Sequence, residues 1–426
     1  MFINKFFIQK DFSQIKELFT AGIVLTGINI ATGLLGYVYQ VFIGRLLSPA
    51  QFALFGAIIA LSIFFSSPLN ALLMLLARRV AVLTAVGSLA QIKRLYISTL
   101  NYLLISSLIF VCISPFFKGA FFTYLRTPDV NIYWLFILFV NLTAIYLVNI
   151  GFLQGLQLFG RLGSVGFFSV LLKIIFSTIF ISLGFGIKGA LSAICLSLLL
   201  AVLYGTRCVL YKSQDVKVVE NVAQHKFERK TIAPTLVANM AFVAMTQLDL
   251  VFVNFYFESD VAGLYTAAAV LGKAVLYLPN GLVTVLFSMV AVNHARSQNN
   301  SVLFFSAVGM TTLCCVGIAL IYWVYGTQLM RLFFGDSYLA AGVVLEIYGF
   351  AILPMCVVVI IEHFLLAKGQ ALFAWVFLAL SPLQAIGIYF FNGSLYEVVL
   401  VVLVTNLVVL VTGVLLLLRN FTSFHK

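Results

Sequence analysis

Charge is what this sequence has least of. Only 9% of its 426 residues are Asp, Glu, Lys or Arg, against about a quarter in a typical soluble domain. With 63% hydrophobic residues and a mean hydropathy of +1.13, the chain has too few polar groups to clothe a water-soluble globule. Histidine is nearly absent, at four residues, and none sits in a ligand cluster. The six cysteines (Cys112, Cys195, Cys208, Cys314, Cys315 and Cys356) lie in or beside apolar runs without metal spacing, so they read as small core residues. Neither a zinc site nor a nucleophile–histidine pair has support. No Walker motif is present, which excludes transport driven by ATP hydrolysis on this chain. Outer loops are expected to be short, the longest about sixteen residues (115–130), with no cluster of acids, histidines or arginines, which argues against an enzyme such as a glycan polymerase or ligase.

What the chain has instead is long apolar runs. Twelve of them are centred in 19–44, 53–77, 95–114, 131–156, 162–184, 188–210, 234–257, 262–290, 302–325, 341–366, 371–391 and 395–418. Runs of about 20 residues span a hydrocarbon core. Lipid offers no partner to backbone N–H and C=O groups, and the runs lack the alternation of barrel strands, so they must be helices. The expected fold is all-α: a polytopic membrane protein of about twelve transmembrane helices. Lys5, Lys10, Asp11, Lys16 and Glu17 interrupt every apolar core within 1–18, and no small-residue cleavage site follows, so this is no signal peptide. It reads as a short interfacial helix or a frayed tail.

Basic residues set the orientation. With the N-terminus cytoplasmic, eighteen of the 25 Lys and Arg fall inside and five outside, and only Lys173 and Lys273 lie within spans. Both termini are then cytoplasmic. The net charge of +12 follows from this topology, with anionic lipid headgroups as sufficient partner and no role for nucleic acid. The polar stretch 211–233 separates 19–210, with spans one to six, from 234–426, with spans seven to twelve. Shifting by 210 residues lays "VFVNFYFESDVAGLYTA" (251–267) over "VFIGRLLSPAQFALFGA" (41–57), and Asn280 over Asn70. An even number of spans per half makes such a repeat parallel, about an axis along the membrane normal.

Polar residues inside the spans mark candidate sites, because they are costly there. Lys173 lies on a stripe with Gly166, Ser169, Ser177 and Gly184, which suits either a packed helix neighbour or a cavity wall. Lys273 shares a face with Thr266, Tyr277, Asn280 and Thr284, which points to a hydrated cavity. Asp249 is placed either to pair with Lys273 or to couple an ion. The first span presents Asn29 and Gln40 on one face, and the second ends its polar face at Asn70. Arg78 closes the second span, as a membrane anchor or a guard of the cavity mouth. Glu362 is expected to snorkel towards the interface, with ion coupling as its other role. No cofactor is expected, beyond H+ or Na+ as a coupling ion.

Four stretches resemble the lipid-linked oligosaccharide flippases of the Wzx type, relatives of MurJ and the MATE exporters. They are "GRLLSPAQFALFGAIIAL" (44–61), its second copy "FESDVAGLYTAAAVLGKA" (257–274), "SPLNALLMLLARRVA" (67–81) and "LGFGIKGALSA" (183–193). The first departs from the family's Gly-Leu-Tyr, kept only as Gly263, Leu264 and Tyr265. The resemblance implies two six-helix lobes rocking around a cationic cavity. Its cargo would be an undecaprenyl-diphosphate-linked glycan, moved to the outer leaflet for O-antigen, capsule or exopolysaccharide synthesis. Lys273, Lys173 and Arg78 would receive the diphosphate, and a polysaccharide polymerase or chain-length machinery would be a partner. A MATE-like ion-coupled exporter is the alternative; it would want cavity acids, whereas mid-depth here are two lysines and one aspartate.

Overall fold

The computed structural model describes residues 31–85, 87–212, 229–277 and 301–422, and among them there is no strand. Helix α1 is described over 31–46 and turns at Leu47 and Ser48 into α2 (Pro49–Ala85). Next come α3 (Leu89–Leu125), α4 (Val130–Gly155), α5 (Phe159–Phe180) and α6 (Gly186–Lys212). The second half contains α7 (Arg229–Tyr256), α8 (Ser259–Lys273), α9 (Ser301–Phe334) and α10 (Ala341–Ala367). It closes with the short pair α11 (Leu372–Leu380) and α12 (Pro382–Phe390), then α13 (Leu395–Thr422).

Among the described residues, ten helical stretches are long and apolar enough to cross a membrane. One of these, Phe159–Tyr211, holds two helices, since α5 and α6 fold back side by side. The reversal is made at Gly184 (φ 88) and Gly186 (φ 50), conformations that glycine reaches without a Cβ clash. At the α3–α4 turn Arg126 adopts φ 51, and the Asp129 carboxylate accepts the Asn131 N–H at 2.9 Å to cap α4.

Three expected boundaries are corrected. The stretch 115–130 is not a loop: α3 runs on to Leu125, because Pro115 lies inside the helix and no breaker precedes the Arg126–Pro128 turn. At 37 residues α3 is about 55 Å long, well beyond the hydrocarbon thickness, and Phe116 stands 86% exposed. The span expected over 262–290 changes pitch after Lys273, tightening to a 3₁₀ turn over Ala274–Leu276 before Tyr277 resumes helical dihedrals, and its remainder lies outside the described residues. The span over 371–391 is broken at Ser381, where Pro382 cannot continue the hydrogen-bond ladder of α11.

Helix α2 organises the molecule. It packs on α4 in its own half and on α7 and α8 in the other. Small residues permit this: a Cβ on Gly56 would lie 2.5 Å from Thr266 Cγ2, and one on Gly263 would lie 2.1 Å from the Pro49 carbonyl oxygen. In the second half, α10 is the buried centre, packed on α8, α9 and α13. Helix α2 begins at Pro49 and α8 at Ser259, which is the 210-residue offset seen in the sequence.

Candidate functional site

The most elaborate polar site lies where α7, α8 and α10 meet. Asp249 is fully buried and accepts three hydrogen bonds: from Lys273 Nζ at 2.9 Å, Tyr348 Oη at 2.8 Å and Tyr265 Oη at 3.0 Å. A carboxylate in a dry core is tolerated only with such partners. The Lys273 side chain is 12% exposed, so the pair reaches the edge of the core rather than its centre. Of the two readings left open by the sequence, the salt bridge to Asp249 is the one present. Of the face expected to continue from Lys273, Asn280 and Thr284 lie outside the described residues, and a 3₁₀ turn over Ala274–Leu276 separates Lys273 from Tyr277. Thr266 is turned inwards and donates to the Ala262 carbonyl at 2.9 Å. Tyr277 is 54% exposed.

Lys173 has a different environment. Its ammonium lies 4.1 Å from the ring centroid of Tyr39, over the face of the aromatic, while Tyr39 Oη bonds Ser177 Oγ at 3.1 Å. No carboxylate partners it among the described residues. The ring supplies the attraction that a counter-ion otherwise would. Thus, of the two mid-span cations, one is neutralised by an acid and the other is only stacked.

The remaining predicted residues are dispersed. Gln40 is half-buried on α1, and Asn70 and Arg78 are exposed on α2. Asn29 and Asn280 lie outside the described residues. Glu362 does not snorkel: it is 5% exposed, near the C-terminal end of α10, because that helix is enclosed along most of its length by neighbours. A cavity of about 270 Å³ opens beside Asp249, bordered by Phe64, Met240, Leu248, Ser381 and Gln384. Tyr39, Tyr265 and Tyr348 were missed as site residues. Tyr265 stands in a motif singled out by the repeat, but Tyr39 and Tyr348 sit in apolar runs and carried no local signal.

One end of the molecule is closed by contacts between the halves. Arg45, in the α1–α2 turn, donates to the carbonyls of Leu332 and Phe333 at the end of α9, with Nε 2.7 Å from Phe333. Gly44 lies against the Phe334 ring. Arg126 donates to the Phe257 carbonyl at 2.5 Å, and Asn254 Nδ2 donates to the Leu125 carbonyl at 3.1 Å. Terminal carbonyls of a helix lack intrahelical partners and carry partial negative charge, so a guanidinium satisfies both needs. The two contact sets correspond: the 210-residue shift carries Gly44 to Asn254 and Leu125 to Gly335, next to Phe334. At the same end Lys188 bridges to Asp129 at 2.5 Å and holds that carboxyl below its usual range, mainly through the hydrogen bond from the ammonium. Away from this end, Asn239 Nδ2 reaches the Ser67 carbonyl at 2.9 Å.

No curated protein sequence matches the chain. The fold, however, is shared with several solved transporters. A multidrug resistance MATE family transporter of the MOP superfamily, in its inward-facing conformation, superposes with a TM-score of 0.75 at 15% identity, covering 95% of this chain and 99% of that one. The outward-facing conformation of such a transporter gives 0.66 at 16% identity, covering 95% and 96%. The lipid II flippase MurJ, in an inward closed conformation, gives 0.70 at 15% identity, covering 93% and 87%. A family model described as "Polysaccharide biosynthesis protein" matches residues 19–291, more than half of the chain. With that match and that fold together, the chain belongs to the polysaccharide biosynthesis protein family, as a multi-pass membrane protein built like the transporters of the MOP superfamily.

Proposed function

We propose that the protein is a flippase for undecaprenyl-diphosphate-linked oligosaccharide repeat units, moving them from the cytoplasmic to the outer leaflet of the bacterial inner membrane. The observation that carries this reading is Lys173, a mid-span cation with no carboxylate partner among the described residues, in a member of a polysaccharide biosynthesis family; Lys273, its counterpart in the other half, is held by Asp249 in this state. A polyprenyl tail can stay in lipid while its diphosphate head crosses, so the protein must offer cations where none would otherwise be tolerated. A cationic drug would instead need an open carboxylate, and three donors already occupy Asp249.

In this reading both termini are cytoplasmic and the closed end faces outward, so the structure is the inward-facing state. The higher likeness to the inward-facing MATE transporter supports that assignment. Outward opening requires the Arg45 and Arg126 contacts to part. Asp249 and Glu362 would be the carboxylates that take up H+ or Na+ when the halves rearrange. A polymerase or chain-length protein would receive the product outside. The test is genetic: Lys173→Ala, Lys273→Ala and the double variant are expressed in a strain lacking the native gene. Loss of surface glycan with build-up of lipid-linked intermediates on the cytoplasmic side is expected. Normal surface glycan in the gene-deleted strain itself defeats the proposal.

A further inference from the structure

Tyr37 on α1 and Tyr277, just beyond the 3₁₀ turn that follows α8, meet across the boundary between the two halves. Their ring centroids are 6.3 Å apart and their planes are inclined at 76°. Most buried tyrosine hydroxyls of this chain are bonded within the protein: Tyr39 to Ser177, Tyr96 to Asn149, Tyr133 to the Ser114 carbonyl, Tyr322 to the Leu271 carbonyl. Tyr265 and Tyr348 both reach Asp249. Tyr37 Oη is buried yet has no partner among the described residues. A buried hydroxyl left unpaired calls for a ligand or a water to complete it. Its companion Tyr277 is 54% exposed, so one ring of the pair presents an open surface. Tyr277 also lies only four residues after Lys273, across the 3₁₀ turn Ala274–Leu276.

We infer that Tyr37 and Tyr277 form a sugar platform: a pyranose ring of the cargo stacks its C–H face on the open ring and gives or takes a hydrogen bond at Tyr37 Oη. The inference deepens the flippase reading and rests on it. The ligand's chemistry follows from the three features together. Two uncharged aromatic faces suit the apolar side of a ring, an orphaned hydroxyl suits a polyhydroxylated rim, and a neighbouring ammonium suits an attached phosphate. A polyprenyl chain would cover the rings but leave Tyr37 Oη unpaired.

The test uses the full chain in nanodiscs and two kinds of probe, farnesyl diphosphate and farnesyl diphosphate carrying a single pyranose, taken from a panel of glucose, N-acetylglucosamine, galactose and rhamnose. The readout is the ratio of the two affinities. At least one sugar is expected to bind tenfold or more tightly than the bare diphosphate, and Tyr37→Ala or Tyr277→Ala to bring that ratio below threefold. Tyr37→Phe preserves the ring packing and is expected to lower the ratio at least threefold by removing the hydroxyl alone. A ratio near one for every sugar, with farnesyl diphosphate still bound, overturns the platform and leaves the flippase reading standing. A high ratio that survives all three substitutions also overturns it. Failure of the wild-type protein to bind either probe overturns both.

Discussion

Gly56 in α2 packs against the methyl group of Thr266 in α8, and the two positions are the same position in the two halves, 210 residues apart. Equivalent positions can touch each other only beside the axis that relates them. The α2–α8 crossing therefore marks the pseudo-two-fold axis of the molecule, and the paired contacts of the closed end are arranged around it. In the proposed flippase cycle the halves would pivot near this crossing, where a missing side chain brings the two helices together.

Filling the crossing should separate the halves. A Cβ at Gly56 meets a side-chain methyl, whose hydroxyl partner Oγ1 is tied to the Ala262 carbonyl, so Gly56→Ala is expected to cost about 1–3 kcal/mol by overpacking. Thr266→Ser removes the methyl and should restore most of that loss. Gly263→Ala meets the Pro49 backbone, which no rotamer change can clear, so it should cost at least as much and resist rescue. Unfolding midpoints in detergent for the three variants check the order.

The arginine contacts at the closed end should govern which end opens. Arg45→Ala and Arg126→Ala each leave helix-end carbonyls unsatisfied on the opposite half. Both are expected to raise the population open at that end, with the double variant larger than either. Spin labels at exposed Ser48 and Leu339 report the opening as a longer distance; an unchanged distribution in the double variant contradicts it.

Removing Lys273 while keeping Asp249 leaves a buried carboxylate with two tyrosine donors and no cation. Lys273→Met is expected to destabilise by about 3–5 kcal/mol, the usual cost of breaking a buried pair. Adding Asp249→Asn should recover most of the loss, because the uncompensated charge is gone. Thermal unfolding of the single and double variants measures both steps. A double variant no more stable than Lys273→Met rules out the charge explanation.

The Asp129–Lys188 bridge predicts an acid limit for the closed end. The folded state holds the Asp129 carboxyl below its unfolded value, so the bridge contributes above the unfolded pKa of about 3.9 and its contribution is lost as pH falls through the lowered folded value. Wild type should therefore lose stability relative to Asp129→Asn as pH is taken from neutral to below 4. Both partners are partly exposed, so salt should weaken the difference. Parallel melting curves across that pH range give the comparison.

Much of the fold was legible because lipid leaves few choices. Apolar runs of membrane length had to be helices, and the 210-residue match located the turns that start α2 and α8. The ends of helices were less legible, since hydropathy falls before the helix does. Helix α3 continues past Pro115 because nothing before the Arg126–Pro128 turn ends it, and the 3₁₀ turn at Ala274–Leu276, between Gly272 and Pro279, falls in an apolar run that hydropathy reads as continuous. At the site, Lys173, Lys273 and Asp249 stood out as charges in apolar helices. Their partners Tyr39 and Tyr348 did not, because a tyrosine in an apolar run looks like core until a neighbouring helix brings a charge to it. Glu362 misled for a related reason: distance along α10 does not reveal how deeply that helix is enclosed.

The most direct measurement is transbilayer movement itself. Purified protein is reconstituted into liposomes with a fluorescent undecaprenyl-diphosphate oligosaccharide, and a membrane-impermeant reagent quenches only the outer leaflet. A flippase gives quenching that passes the one-leaflet plateau, with the rate falling at least tenfold in the Lys173→Ala/Lys273→Ala double variant. A plateau identical to that of protein-free liposomes, in vesicles whose protein is shown to be folded, contradicts the proposed function.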